Sequence, residues 1–122
     1  MLALIADDDP LNRDLLRRML ARLGWTVEDV PDGESAVAAC ARTAYDLVLL
    51  DLRMGGMGGA ETAARIRTAF ASSGDPARCP PRILAVTGSD DMTGTERSAF
   101  DGLLQKPFSF AELSGLARPP EP

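Results

Sequence analysis

Leu47-Val48-Leu49-Leu50-Asp51 is a run of four aliphatic residues closed by a carboxylate, and Met1–Ala6 ends the same way on Asp7-Asp8-Asp9. A run with no polar alternation reads as a strand covered on both faces. The strands are expected over Met1–Ala6, Trp25–Val30, Tyr45–Leu50, Arg82–Val86 and Leu103–Gln105. Between them the apolar period changes from two to nearly four. Asp9-Pro10 opens a helix in which Leu11, Leu15, Leu16, Met19, Leu20 and Leu23 share a stripe, and Gly24 stops it. Asp32-Gly33 opens a second helix with Ala36, Val37, Cys40 and Ala41 as its apolar face. A glycine-rich loop, Leu52–Gly59, leads into a third that ends near Phe70. Ser72–Pro81 is a connector, and the stretch with Gly94 supports a short fourth helix ending near Phe100. Ser109 and Glu112 form a capping box for a last helix over Phe110–Arg118.

This βαβαβαβαβα order implies one α/β domain: a doubly wound parallel sheet with helices on both faces. Ligands of such sheets sit beyond the carboxyl ends of the strands. Those ends carry Asp7-Asp8, Asp51, Thr87 and Lys106. Each has an ordinary explanation alone: a helix-capping acidic turn, a turn aspartate, a strand-end hydroxyl, a surface cation. Together at one sheet edge they suggest chemistry. Converging carboxylates repel unless a cation joins them, and an all-oxygen set suits Mg2+. A carboxylate can also take a phosphoryl group, given an ammonium and a hydroxyl nearby.

Composition narrows the choice. Among 122 residues there are 13 Lys+Arg, 18 Asp+Glu and no histidine, for a net charge of −5. Lys106 is the sole lysine. Without histidine the chain has no Ser-His-Asp or Cys-His pair, no histidine-ligated metal and no phosphohistidine of its own. The acidic balance argues against direct nucleic-acid binding. No apolar run approaches the ~20 residues of a membrane span, so a cytoplasmic protein is expected. Cys40 and Cys79 lack metal-ligand spacing and read as thiols rather than a disulfide.

Four segments, Ile5-Ala6-Asp7-Asp8-Asp9-Pro10, Leu47 to Met54, Ala85-Val86-Thr87-Gly88 and Leu104-Gln105-Lys106-Pro107-Phe108, resemble the receiver domain of two-component response regulators. The resemblance implies a flavodoxin-like (βα)5 fold of strand order 2-1-3-4-5 over residues 1–118, with 119–122 a Pro-rich tail or linker stub. It also implies that Asp51 accepts the phosphoryl group from a histidine kinase or a histidine phosphotransfer protein. Asp8 would then ligate Mg2+ directly and Asp7 through water, with the backbone carbonyl of Arg53 as a third protein ligand. Thr87 would be the switch hydroxyl, and Lys106 would pair with the phosphoryl oxygens beside a cis peptide to Pro107. Arg53 and Ser89 would tune attack of water on the phosphoryl group. Leu11, Arg13, Asp14, Arg17 and Pro107 would form the docking surface, although the helix arginines also read as a plain solvated face.

Several residues depart from the family pattern. Gly55 stands where proline is usual and Gly58 where an acid is, and four glycines in five residues predict a mobile loop. Leu103 occupies the position of the switch aromatic. The segment Ser89–Asp101 is shorter than usual, and the connector at Ser72–Pro81 resembles those of receivers fused to hybrid kinases. These departures point to an output that does not run through the usual dimer face. Trp25 is expected to be packing, and Met54 and Met57 to be loop filler. The competing readings are a pseudo-receiver acting as a constitutive interaction module and a phosphatase using Asp51. The phosphatase would want an acid where Arg53 stands, and flavin binding lacks a hydroxyl-rich phosphate loop.

Overall fold

The computed structural model describes residues 1–72, 74, 80–88 and 94–117. Its elements alternate as β1 (Leu2–Ala6), α1 (Pro10–Arg22), β2 (Thr26–Val30), α2 (Gly33–Arg42), β3 (Leu47–Asp51), α3 (Gly59–Ser72), β4 (Arg82–Thr87), α4 (Gly94–Ser98), β5 (Gly102–Gln105) and α5 (Phe110–Leu116). The five strands form one parallel sheet in the order β2-β1-β3-β4-β5. The strand patterns implied the parallel sheet, and the resemblance to receiver domains implied this flavodoxin-like order. Ser89, Cys79 and the tail at 119–122 lie outside the described residues.

Alternation along the strands divides the core in two. Ala3, Ile5, Leu47, Leu49, Leu84 and Val86 pack with Leu16 and Leu20 of α1 and Leu113 of α5. Leu4, Ala6, Val48, Leu50 and Ile83 pack with Ala36, Ala39 and Cys40 of α2 and Ala63 and Ile66 of α3. Both faces are therefore covered, which is why the strand runs carry no polar alternation. The caps form as their sequences require. Asp9 accepts from the Leu11 amide at 2.9 Å, Asp32 from Ser35 at 2.7 Å and Ser109 from Glu112 at 3.1 Å.

Some expectations change. Ala41 faces solvent, and Ala39 takes its place in the core. Leu11 and Leu15 leave the α1 stripe: they are 80% and 51% exposed, while Leu16 and Leu20 are buried. Met54 is no loop filler but a buried member of the α2–α3 core. Trp25 is packing, as expected, and its indole N–H donates to the Ala117 carbonyl at 2.6 Å. The short fourth helix is present, and its following turn is pinned by Arg67, which donates to Ala99 O at 3.2 Å and pairs with Asp101 at 3.1 Å.

Candidate functional site

Strand register alone brings the acids together. Ala6 of β1 is aligned with Leu50 of β3, so the next residues, Asp7 and Asp51, leave the sheet side by side. Asp51 pairs in turn with Val86 of β4, and Thr87 with Gln105 of β5. Lys106 follows Gln105, and its amide donates to Thr87 O at 2.7 Å. Thus Asp7, Asp8, Asp51, Thr87 and Lys106, far apart in sequence, meet at one edge of three neighbouring strands and β5.

One carboxylate oxygen from each of Asp7, Asp8 and Asp51 lies within 4.8 Å of the others. Asp7 and Asp51 are buried, and Asp8 is open to solvent. Lys106 Nζ stands 3.8 Å from Asp51 Oδ2 and 3.9 Å from Asp7 Oδ2, so one ammonium faces the cluster. The two oxygens of Asp51 are distinguished: Oδ1 accepts from the Arg53 amide at 3.2 Å, while Oδ2 faces Lys106. Asp7 is divided in the same way. Its Oδ1 accepts from the Asp9 amide at 2.9 Å, and its Oδ2 is buried with no hydrogen bond. Burial pushes the Asp7 carboxyl up to about 6, the Asp51 charge adds to that rise, and the Asp9 amide and Lys106 oppose it.

Three clustered carboxylates, one of them with a buried oxygen that accepts no hydrogen bond, repel one another more than the single Lys106 ammonium offsets, and a further cation would relieve this. The donor set is all oxygen, with one side open to solvent, which suits a hydrated hard divalent ion such as Mg2+. Magnesium therefore fits the residues present.

The departures from pattern have structural consequences. Because Gly55 is not proline it keeps its N–H, which donates to Asp8 Oδ2 at 3.3 Å. The loop expected to be mobile is tied there and again where the Gly59 amide donates to Leu52 O at 3.0 Å. Within it Gly56 alone adopts a left-handed backbone, at φ 76°. Leu103 is half-buried on β5, and the peptide between Lys106 and Pro107 is cis. Arg53 extends away from the acids to Glu96 of α4, at 3.3 Å.

The expected docking residues differ in their surroundings. Leu11 and Pro107 are exposed, and Asp14 pairs with both Arg17 and Arg18. Arg13 is turned inward, away from the solvated face it was expected to share. A groove of about 480 Å³ runs beside the acidic site, lined by Asn12, Leu15, Leu16, Gly88, Lys106, Pro107 and Phe108. The sequence reading missed Asn12, Leu15 and Phe108 as groove residues. The signal for Leu15 was an apolar stripe on α1 wider than one sheet contact can cover.

The family model described as response regulator receiver domain matches residues 3–118. The transcriptional regulatory protein TcrA of Mycobacterium tuberculosis is 36% identical over 121 residues, covering 94% of this chain and 45% of TcrA. The response regulator TrrA of Thermotoga maritima, solved in complex with Mg2+ and BeF, superposes with a TM-score of 0.82 at 29% identity, covering 94% of each chain. A sensor histidine kinase receiver domain from Pseudomonas aeruginosa, with a magnesium ion coordinated in its active-site cleft, gives a TM-score of 0.77 at 29% identity, covering 95% of this chain and 93% of that one. The chain spans less than half the length of the curated relatives it matches. No helix among the described residues is long and apolar enough to cross a membrane.

Proposed function

Because the chain belongs to the response regulator receiver domain family, we propose that it accepts a phosphoryl group from a partner's phosphohistidine onto Asp51, in the cytoplasm, and changes conformation as a result. Receiver domains are signalling modules rather than conventional enzymes. The observation that carries this reading is the convergence of Asp7, Asp8 and Asp51, with Lys106 Nζ 3.8 Å from Asp51 Oδ2 and 3.9 Å from Asp7 Oδ2. Three clustered carboxylates beside one ammonium are suited to a divalent cation and a phosphoryl group.

In the transfer, a carboxylate oxygen of Asp51 forms the new O–P bond as the N–P bond of the partner's phosphohistidine breaks, and the electron pair of that bond leaves with the imidazole. The Arg53 amide holds Asp51 Oδ1 and so fixes the plane of the carboxylate. The Lys106 ammonium, 3.8 Å from Asp51 Oδ2, is within reach of an incoming phosphoryl oxygen. A compact, flexible ammonium suits that task better than a guanidinium fork. Thr87, at the adjacent strand end, supplies a hydroxyl to another oxygen. Asp8, Asp7, Asp51 and the Arg53 carbonyl would hold Mg2+, which neutralises charge on the carboxylates and the phosphoryl oxygens. Gly88 places no side chain at the entrance and leaves the donor's path open.

The partner is a histidine kinase or histidine phosphotransfer protein, since this chain has no histidine. The groove next to Lys106 continues onto the exposed Leu15 of α1, with Leu11 on the same helix, an apolar surface on which a partner helix would seat its histidine. The longer curated relatives fit a receiver fused to a kinase or output domain, and a stand-alone receiver is the alternative.

Incubation with Mg2+ and a small acyl phosphate, followed by intact mass, tests this reading. Wild type gains one phosphoryl group, and Asp51→Asn gains none. Absence of any gain at saturating donor would favour a constitutive interaction module, the reading that the Gly-rich loop and Leu103 support.

A further inference from the structure

Arg13 differs from the other arginines of α1. Its side chain is 20% exposed, whereas those of Arg17 and Arg18 are 51% and 76% exposed and pair with Asp14 on the same helix. Its Nη1 donates to the backbone carbonyl of Asp7 at 2.8 Å, and its Nε pairs with Asp29 Oδ2 of β2 at 3.0 Å. The Asp7 carbonyl belongs to the peptide joining Asp7 to Asp8, so a donor on that oxygen sets the plane on which both carboxylates hang. The Asp7 amide is held from the other side by Val30 O at 3.3 Å. With Asp7 Oδ1 on the Asp9 amide, Oδ2 faces the acidic cluster and Lys106, 3.9 Å away.

From this geometry we infer that Arg13 is a positioning residue for the Asp7-Asp8 metal site, braced by Asp29, and not a docking residue for the partner. The inference rests on the receiver reading and deepens it. Two acceptors in different elements are met by two separate N–H groups of one rigid fork. A lysine at position 13 would bring one ammonium and could not hold both with the same geometry. Asp29 keeps the guanidinium aimed at the carbonyl when the cluster is empty and when it is filled. Residues that orient metal ligands typically alter affinity ten-fold or more when removed.

The test uses the full chain. Calorimetry measures the Mg2+ dissociation constant, and intact mass follows phosphoryl uptake from a small acyl phosphate, which has no docking helix to recognise. Arg13→Gln is expected to weaken Mg2+ binding roughly ten-fold. Arg13→Lys should recover little of that loss. Asp29→Asn, which leaves the carbonyl contact in place, should weaken binding a few-fold, and Arg18→Gln not at all. At saturating Mg2+ the uptake rate of Arg13→Gln should return to near wild type, a split between affinity and rate that a general loss of stability does not produce. Wild-type Mg2+ affinity in both Arg13→Gln and Asp29→Asn would overturn the inference, and so would loss of uptake from a partner phosphohistidine alone. If Arg13→Gln does not fold, the Asp29→Asn result decides. A wild type that binds no Mg2+ would overturn the receiver reading as well, which separates the two failures.

Discussion

A methyl group on the Cα of Gly59 would stand 2.7 Å from the carbonyl oxygen of Asp51. The same methyl would meet the Cα of Leu52 at 2.9 Å, so both obstacles are backbone and neither can swing aside. The start of α3 therefore packs directly on the strand end that presents the phosphoacceptor. Gly59→Ala should cost about 2–3 kcal/mol in urea unfolding, because the strand end or the helix must move. It should also slow phosphoryl uptake by displacing Asp51. Gly115 of α5 has open space around its Cα, and Gly115→Ala should instead stabilise by about 0.5 kcal/mol through helix propensity. Equal effects at the two positions would show that the close approach at Gly59 is relieved without consequence.

The Asp7 carboxyl, raised to about 6 chiefly by burial, gives the metal-free protein an unusual pH dependence. Its native pKa lies above the unfolded value of 3.8, so the native state holds the proton more tightly between the two. Stability should therefore be greatest below about pH 4 for this group and fall as pH rises through 6, by up to about 3 kcal/mol. Asp32 works in the opposite direction, since the Ser35 amide bonded to its carboxylate lowers its pKa and that stabilisation is lost in acid. The difference between wild type and Asp7→Asn in chelator isolates the Asp7 contribution. Asp7→Asn should melt several degrees higher than wild type at pH 7 and flatten the decline.

Magnesium should reverse that decline. The ion needs deprotonated carboxylates, so its affinity should rise through the same pH window in which Asp7 loses its proton. At pH 7 millimolar Mg2+ should raise the melting temperature of wild type by binding only the native state. Asp8→Ala, which removes the exposed member of the cluster, should abolish the shift. A shift surviving in Asp8→Ala would place the ion elsewhere.

Trp25 joins the start of β2 to the end of α5 through its bond to Ala117 O, in a buried setting. Trp25→Phe keeps the ring packing and leaves that carbonyl without its donor, at a cost of about 1–3 kcal/mol. Trp25 is the single tryptophan of the chain, so its fluorescence reports directly on docking of α5. Truncation after Leu113 should shift wild-type emission to the red, as the indole loses its cover. An unchanged spectrum would mean that other residues shield the ring.

The fold was legible because its signals are redundant. Leu47 to Leu50 has no polar alternation, and that alone requires cover on both faces. Asp9, Asp32 and Ser109 mark their helix starts with side chains that cap nothing else. The convergence of Asp7, Asp51, Thr87 and Lys106 was legible because a parallel sheet puts every strand end at one edge. What stayed hidden depended on contacts between elements. The α1 periodicity puts Leu11, Leu15, Leu16 and Leu20 on one broad face, and the sheet covers only the last two. Arg13 and Arg17 are the same residue type one turn apart on one helix. Asp29, contributed by β2, separates their roles, and no local pattern announces it. Likewise, the N–H of Gly55 matters only because Asp8 lies opposite it.

The β5 edge makes the last prediction. Leu103 is half-buried where the family usually has an aromatic, and among the described residues α4 covers Gly94–Ser98. The described surface there includes a hollow of about 240 Å³ between Arg97, Phe100, Asp101, Gly102 and Leu103. A stable symmetric dimer needs about 1,200 Å² or more of buried surface with an apolar centre. The described part of α4, which ends in the exposed Arg97 and Ser98, offers little of either. Behind it, Arg67 holds Ala99 O and Asp101 from α3, and Asp101 also accepts from the Ile83 amide at 2.8 Å. The turn is thus fixed from within and needs no partner to order it. Sedimentation of the chain with Mg2+ and beryllofluoride, a mimic of the phosphoryl group, should give the same monomer mass as the untreated chain. A dimer that forms on that addition and is lost in Leu103→Asp would show that this face carries the output after all.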